Sequence, residues 1–212
     1  MSANDQRGVR PRLLHRRPGA QRGTAAVEFA LLAALFFVIV FGIIEVARML
    51  YVYGTLQEVT RRAASSAVHV YPTDTAGIAR LKYAAMFRSG PGELALAPPV
   101  SDAHLRIDYL ALVRDADDGE LNLAPVAAGS IPNSAARNRQ VCMANPNAAD
   151  CIRFVQVRIC GTPDDGAGEC PLVRSRMLLP MIDLRVPLHR STTIVPVESF
   201  GYVPGESPCP CP

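Results

Sequence analysis

From Ala25 to Ala47 the chain reads AAVEFALLAALFFVIVFGIIEVA, and Glu28 and Glu45 are the only charged residues in that stretch. Phe29 to Ile44 form sixteen consecutive apolar or small positions. A helix rises ~1.5 Å per residue, so ~20 residues cover the ~30 Å hydrocarbon core of a bilayer. The run predicts one transmembrane helix; as a helix of a soluble domain it would have to be buried on every side. Beyond it the pattern changes. Met49, Val52, Leu56, Val59, Ala63, Ala67 and Val70 continue an apolar stripe at steps of three and four, while Glu58, Arg61, Arg62, Ser65 and Ser66 fall on other faces. The helix is therefore expected to run on, amphipathic, to about His69, a span of about 70 Å from Thr24. Pro72 ends it, and the outer stripe is expected to pack on the chain's own globular part.

The remaining residues, 72–212, are punctuated by Pro and Gly. Thr75 to Arg88 has helical character and is broken by Ser-Gly-Pro-Gly at 89–92. Leu105, Ile107, Tyr109, Ala111 and Val113 alternate with mainly polar residues, the mark of a half-buried strand. Ile152–Cys160 and Leu184–Val197 are further strand candidates, the second interrupted by Pro187 and Pro196. Residues 115–140 read as a long loop. The expected fold class is α+β: a long N-terminal helix, membrane-spanning and then amphipathic, followed by a small disulfide-bearing α+β domain outside the membrane. The expected boundaries are 1–23 for a basic leader, 24–71 for the helix and 72–212 for the outer domain.

Charge changes this picture at one end only. The formal net charge of the 212 residues is +3. Six arginines in residues 1–23 (Arg7, Arg10, Arg12, Arg16, Arg17 and Arg22) stand against Asp5, which leaves the leader at +5 and the rest of the chain at −2. The bulk of the chain thus lacks the basic face that nucleic-acid binding requires. By the positive-inside rule the leader faces the cytoplasm and everything past Arg48 lies outside it. The expected location is the inner (cytoplasmic) membrane, single-pass, with membrane lipid as a partner. A cleaved secretory signal fits less well, because its apolar core is typically ~7–15 residues and ends in small residues. Here the run is longer and leads into Ile43-Ile44-Glu45-Val46-Ala47-Arg48.

The mouth of the helix carries the candidate chemistry. Arg22-Gly23-Thr24-Ala25-Ala26-Val27-Glu28-Phe29 places a carboxylate where hydrocarbon begins, and an intramembrane Asp costs ~2.5–3.5 kcal/mol at a helix centre, less near an interface. Cleavage after Gly23 would supply a partner: a new α-amine on Thr24, with Glu28 as the fifth residue of the shortened chain. In a bundle of such helices, Glu28 of one subunit could neutralise the amine of its neighbour, which sets register rather than bulk stability. Ala26, Ala30, Ala34 and Gly42 lie at multiples of four along one ridge, a spacing that lets helices approach closely.

The Gly–four residues–Glu–aromatic pattern resembles the type IV prepilin processing site, in particular its Flp/Tad version. Gly42-Ile43-Ile44-Glu45-Val46-Ala47-Arg48, Tyr51, Gln57 and Arg61-Arg62-Ala63-Ala64 extend the likeness, and over about residues 22–70 the chain resembles the TadE-like family of pseudopilins and minor pilins. The resemblance implies cleavage between Gly23 and Thr24 by an aspartic prepilin peptidase, and an assembly role for Glu28 beside Phe29. It also implies work with other pilin or pseudopilin subunits and with an inner-membrane pilus assembly platform and its ATPase. The cysteine-bearing C-terminal part has no counterpart in the resemblance.

All six cysteines, Cys142, Cys151, Cys160, Cys170, Cys209 and Cys211, follow the apolar run. An even number on the exported side suggests disulfides. Nearest-neighbour pairing of Cys142 with Cys151 and Cys160 with Cys170 is one of fifteen connectivities, among which sequence does not choose. No Cys-x-x-Cys pair occurs and His69, His104 and His189 are scattered, so no metal and no cofactor is expected. Asp115-Ala-Asp-Asp-Gly-Glu120 lacks the Gly and Glu positions of a calcium loop and reads as a solvated turn, as does Asp164-Asp165-Gly166. No hydrolase, phosphate-loop or zinc-protease motif occurs, and no enzymatic activity is expected. The alternative reading is a signal-anchored envelope protein with an enzymatic or ligand-binding outer domain.

Overall fold

The structure, a computed structural model, describes residues 22–116, 118–161, 170–177 and 186–202. The chain divides between Ile44 and Glu45 into two compact units. Helix α1 (Arg22–Ala67) contributes to both. Within the first unit nearly every side chain of α1 from Gly23 to Ile44 is exposed, and this helix is long and apolar enough to cross a membrane.

The second unit is a small α+β domain built on the later part of α1. It contains α2 (Thr75–Ala85), β1 (Leu105–Arg114), β2 (Leu121–Pro125), α3 (Ala135–Ala144), β3 (Phe154–Ile159) and β4 (Thr192–Pro196). The strands form one antiparallel sheet in the order β2-β1-β3-β4. Period-two alternation divides its faces. Ile107, Tyr109, Val155, Val157 and Val195 join the core, while Asp108 takes Arg106 and Arg158 as ion-pair partners, at 3.0 and 2.6 Å. The stripe of α1 lies in the same core: Val52, Leu56, Val59, Ala63 and Ala67 are all buried, with Met49 and Val70 packed at its margin. Its burial stabilises helix and sheet together, since a helix of this kind draws most of its stability from packing an apolar face.

Local chemistry fixes the ends of the elements. Asp74 caps α2 by accepting from the Gly77 N–H at 2.8 Å. A side chain at Gly77 would run into that same carboxylate and into Val70. Tyr71 packs edge-on against Phe200 at 5.2 Å and donates its hydroxyl to the Pro132 carbonyl. Burial pushes the Tyr71 phenol up to about 12 and raises Tyr109, whose ring also lies against Phe200.

Residues 115–140 are not one loop. They hold β2, a short 3-10 turn at Ala128–Ser130 and the start of α3. Strand β2 is a five-residue edge whose two flanks are mostly exposed, so it shows little apolar alternation. Helix α3 buries only Asn138 and has no apolar stripe to announce it. It is held by specific bonds instead. Ser134 caps it, and Asn138 both donates to the Ile152 carbonyl and accepts from the Ile152 N–H, at 3.1 and 2.9 Å. A disulfide joins Cys142 to Cys151, and a second joins Cys160 to Cys170. Cys209 and Cys211 lie outside the described residues, as do Asp164–Gly166 and most of the leader. In the last strand candidate, ladder pairing begins only at Thr192; Pro187, which has no N–H, makes an isolated bridge to Arg174.

Candidate processing and assembly segment

Gly23 is the second residue of α1 and Thr24 the third, and both are exposed. Among the described residues nothing lies near the position a Gly23 side chain would take. Thr24 and Glu28 are four apart on the helix and share a face, and the intervening turn carries no other charge.

Glu28 is exposed, and Phe29 is 74% exposed. Neither is covered by the other described residues. Ala26, Ala30, Ala34 and Gly42 form an exposed line of small positions down the same helix, with open space beside Gly42. The segment is an exposed helix surface that carries the Glu28 carboxylate and a wide apolar wall.

Residues 23–65 match the TadE-like protein family. The matched segment begins at Gly23 and ends on α1, so it takes in Thr24, Glu28, Phe29, the small-residue line and most of the stripe that enters the core of the second unit. It covers about a fifth of the chain. No curated protein and no solved structure matches the chain. The TadE-like match suggests a Tad-pilus role of the minor-pilin kind, and the family is not an enzyme family.

Two polar sites on α1 carry no signal in the sequence pattern. Thr60 is fully buried among hydroxyls: its Oγ1 lies 2.9 Å from Ser191 Oγ and 3.0 Å from Thr193 Oγ1, and Ser191 Oγ also donates to the Leu56 carbonyl at 3.2 Å. Arg48 is buried as well, with Nη1 on Glu45 at 2.6 Å and Nε on the Leu96 carbonyl at 2.8 Å. A Thr inside a stripe and an Arg just past an apolar run both look like solvated positions when periodicity alone is read. Glu45, three residues before Arg48 on the helix, is the one hint of a partner that the spacing offers. Among the described residues no cluster of His, Cys, Asp and Glu is arranged to hold a metal ion.

Proposed function

We propose that this chain is a TadE-like pseudopilin or minor pilin, stored in the inner membrane, cleaved after Gly23 by a prepilin peptidase and used in building a Flp/Tad-type pilus. The observation that carries the reading is the family match, which starts at the glycine following the arginine-rich leader. Exposure of Gly23 and Thr24 supports access by a peptidase. Exposure of Glu28 and Phe29 supports contact with another subunit, in which the Thr24 amine of one chain meets the Glu28 carboxylate of the next. Ala26, Ala30, Ala34 and Gly42 would let the helices close on each other. The leader would face the cytoplasm and the disulfide-bearing unit the periplasm or the cell exterior. The membrane-embedded assembly platform and its ATPase would draw the helix from the bilayer.

N-terminal sequencing and intact mass of the membrane-extracted protein test this. Thr24 is the expected first residue when the peptidase is present, and a chain that keeps its arginine-rich leader would refute the proposal. Gly23→Ala is expected to block cleavage by adding a methyl at the scissile bond. Glu28→Ala is expected to leave cleavage largely intact while filament assembly fails, and normal filaments from that variant would remove the register role of the carboxylate.

A further inference from the structure

The sheet of the second unit ends on β4. Among the described residues no strand pairs with its far side, so its outward backbone groups are a template for another strand. The ladder shows which groups these are. Ile159 N–H donates to the Ser191 carbonyl at 3.3 Å, and Val197 N–H to the Arg153 carbonyl at 2.7 Å. Bonded and unbonded pairs alternate in an antiparallel ladder. Ser191, Thr193, Val195 and Val197 therefore turn their peptides to β3, while Thr192, Ile194 and Pro196 turn theirs away. The side chains of Thr192, Ile194 and Pro196 share one face and are exposed, Ile194 by 43%.

Around Ile194 this edge is self-complementary. Arg190 and Glu198 lie four residues to either side of it, and both are exposed. An antiparallel pairing with β4 of a second chain, two-fold symmetric about Ile194, sets Ile194 opposite Ile194, Thr192 opposite Pro196 and Arg190 opposite Glu198. The Ile194 pair exchanges both backbone bonds. Thr192 N–H meets the Pro196 carbonyl, and the bond forgone there is the one a proline cannot donate. Opposite charges set across two strands attract, and the symmetry forms this ion pair at both ends. Arg190 already donates from Nη2 to the Cys170 carbonyl at 2.9 Å, which holds the side chain while the guanidinium keeps further donors.

We infer that β4 is a homodimer edge: a second copy of this chain adds its β4 across a two-fold axis at Ile194 and joins the two sheets into one. The other free edge fits no such partner. In β2, Asp115 N–H bonds to the Glu120 carbonyl and Val126 N–H to the Tyr109 carbonyl, so Leu121, Leu123 and Pro125 face outward. Pairing β2 with itself at Leu123 would set Glu120 opposite Val126 and Asp118 opposite Ala128. Pairing it with β4 would set Glu198 opposite Gly119, between Asp118 and Glu120. Charge therefore selects β4 against β4. The contact lies wholly within the second unit, so it stands whether or not the chain is cleaved after Gly23. It is small, in the range of transient interfaces, and a covalent trap suits it.

Ile194→Cys places two thiols across the axis at the Cα separation of a bonded pair, about 5.5 Å, which a disulfide can span. The full chain, with Cys209→Ser and Cys211→Ser to remove the last two cysteines, is oxidised in its membranes with copper–phenanthroline and resolved without reductant. A reducible dimer is expected, severalfold more abundant than from Leu123→Cys on β2, a position exposed to a similar extent. Adding Glu198→Arg should lower the yield severalfold, because arginine then meets arginine at both ends. That change leaves the Arg190 bond to Cys170 in place, so the loss is not one of folding. Adding Arg190→Glu to it exchanges the charges and should restore the dimer, with protection of Cys142–Cys151 and Cys160–Cys170 from maleimide showing that the unit is folded. Equal yields from Ile194→Cys and Leu123→Cys, a yield that Glu198→Arg leaves unchanged, or no recovery on exchange in the folded chain would each overturn the inference. A mixed disulfide with a different protein would give the edge to another occupant and overturn it as well.

Discussion

Arg48 exchanges water for one carboxylate and one carbonyl, and with its side chain only 4% exposed it has little solvent to fall back on. Arg48→Met keeps most of the side chain's length but takes the donor from the Leu96 carbonyl and the cation from Glu45. Breaking a buried pair from one side costs about 3 kcal/mol, and a loss of that order is expected in urea unfolding of the detergent-solubilised chain. A loss below about 1 kcal/mol would place Arg48 among exposed pairs. His104 makes a second residue-scale prediction. Its Nδ1 accepts from the Ser101 N–H at 3.1 Å, and burial lowers its pKa against the opposing pull of the Ser101 backbone, Asp102 and Glu93. The folded chain therefore binds this proton less readily than the unfolded chain. Stability from this group is complete above the unfolded value, ~6.5, and falls as pH drops from there through the lowered folded value. The unfolding midpoint is expected to decline over that window, and His104→Gln to flatten the part of the decline that belongs to the imidazole.

The elements show where pattern reading succeeds. The outer part of α1, β1 and β3 each bury one face against the same core, and an apolar face imposes its own period on the sequence: three to four in the helix, two in the strands. Those elements were legible. Strand β2 and helix α3 were not, because an exposed edge strand and a helix held by a cap, an asparagine and a disulfide leave no such period. The candidate segment was legible for a different reason: a glycine and a carboxylate flanking hydrocarbon are anomalies of composition, visible without any fold. Thr60 was hidden by its ordinary chemistry. It sits in the stripe as if apolar, with its hydroxyl satisfied by Gln57, Ser191 and Thr193. Thr60→Val preserves the shape and leaves the hydroxyls of β4 and its approach short of a partner, so a loss of about 1–2 kcal/mol is expected. Adding Ser191→Ala and Thr193→Val should recover much of it, because removing all partners together avoids a stranded donor. A triple variant no more stable than Thr60→Val would mean that the cost lies in packing.

For the whole molecule, the disulfides and the leader answer one question from opposite ends. Cys142–Cys151 and Cys160–Cys170 belong to the second unit, and such bonds persist where thiols are not kept reduced. The leader's net +5 lies before the apolar helix, and excess arginine beside a span is retained on the cytoplasmic side. If both arguments hold, the redox state of the cysteines reports the orientation of the helix without any added tag. Replacing Arg7, Arg10, Arg12, Arg16 and Arg17 by Gln leaves Arg22 against Asp5 and keeps the residue beside Gly23. Trapping free thiols in intact cells with a mass-shifting maleimide should then find the native chain protected at these four cysteines. In the variant, a fraction should be labelled at all four, its second unit having stayed in the reducing cytoplasm. Labelling of the native chain would place that unit inside the cell and reverse the proposed topology. Full protection of the variant would show that the helix and the unit after it choose their side without the arginines, since long domains translocate largely regardless of flanking charge.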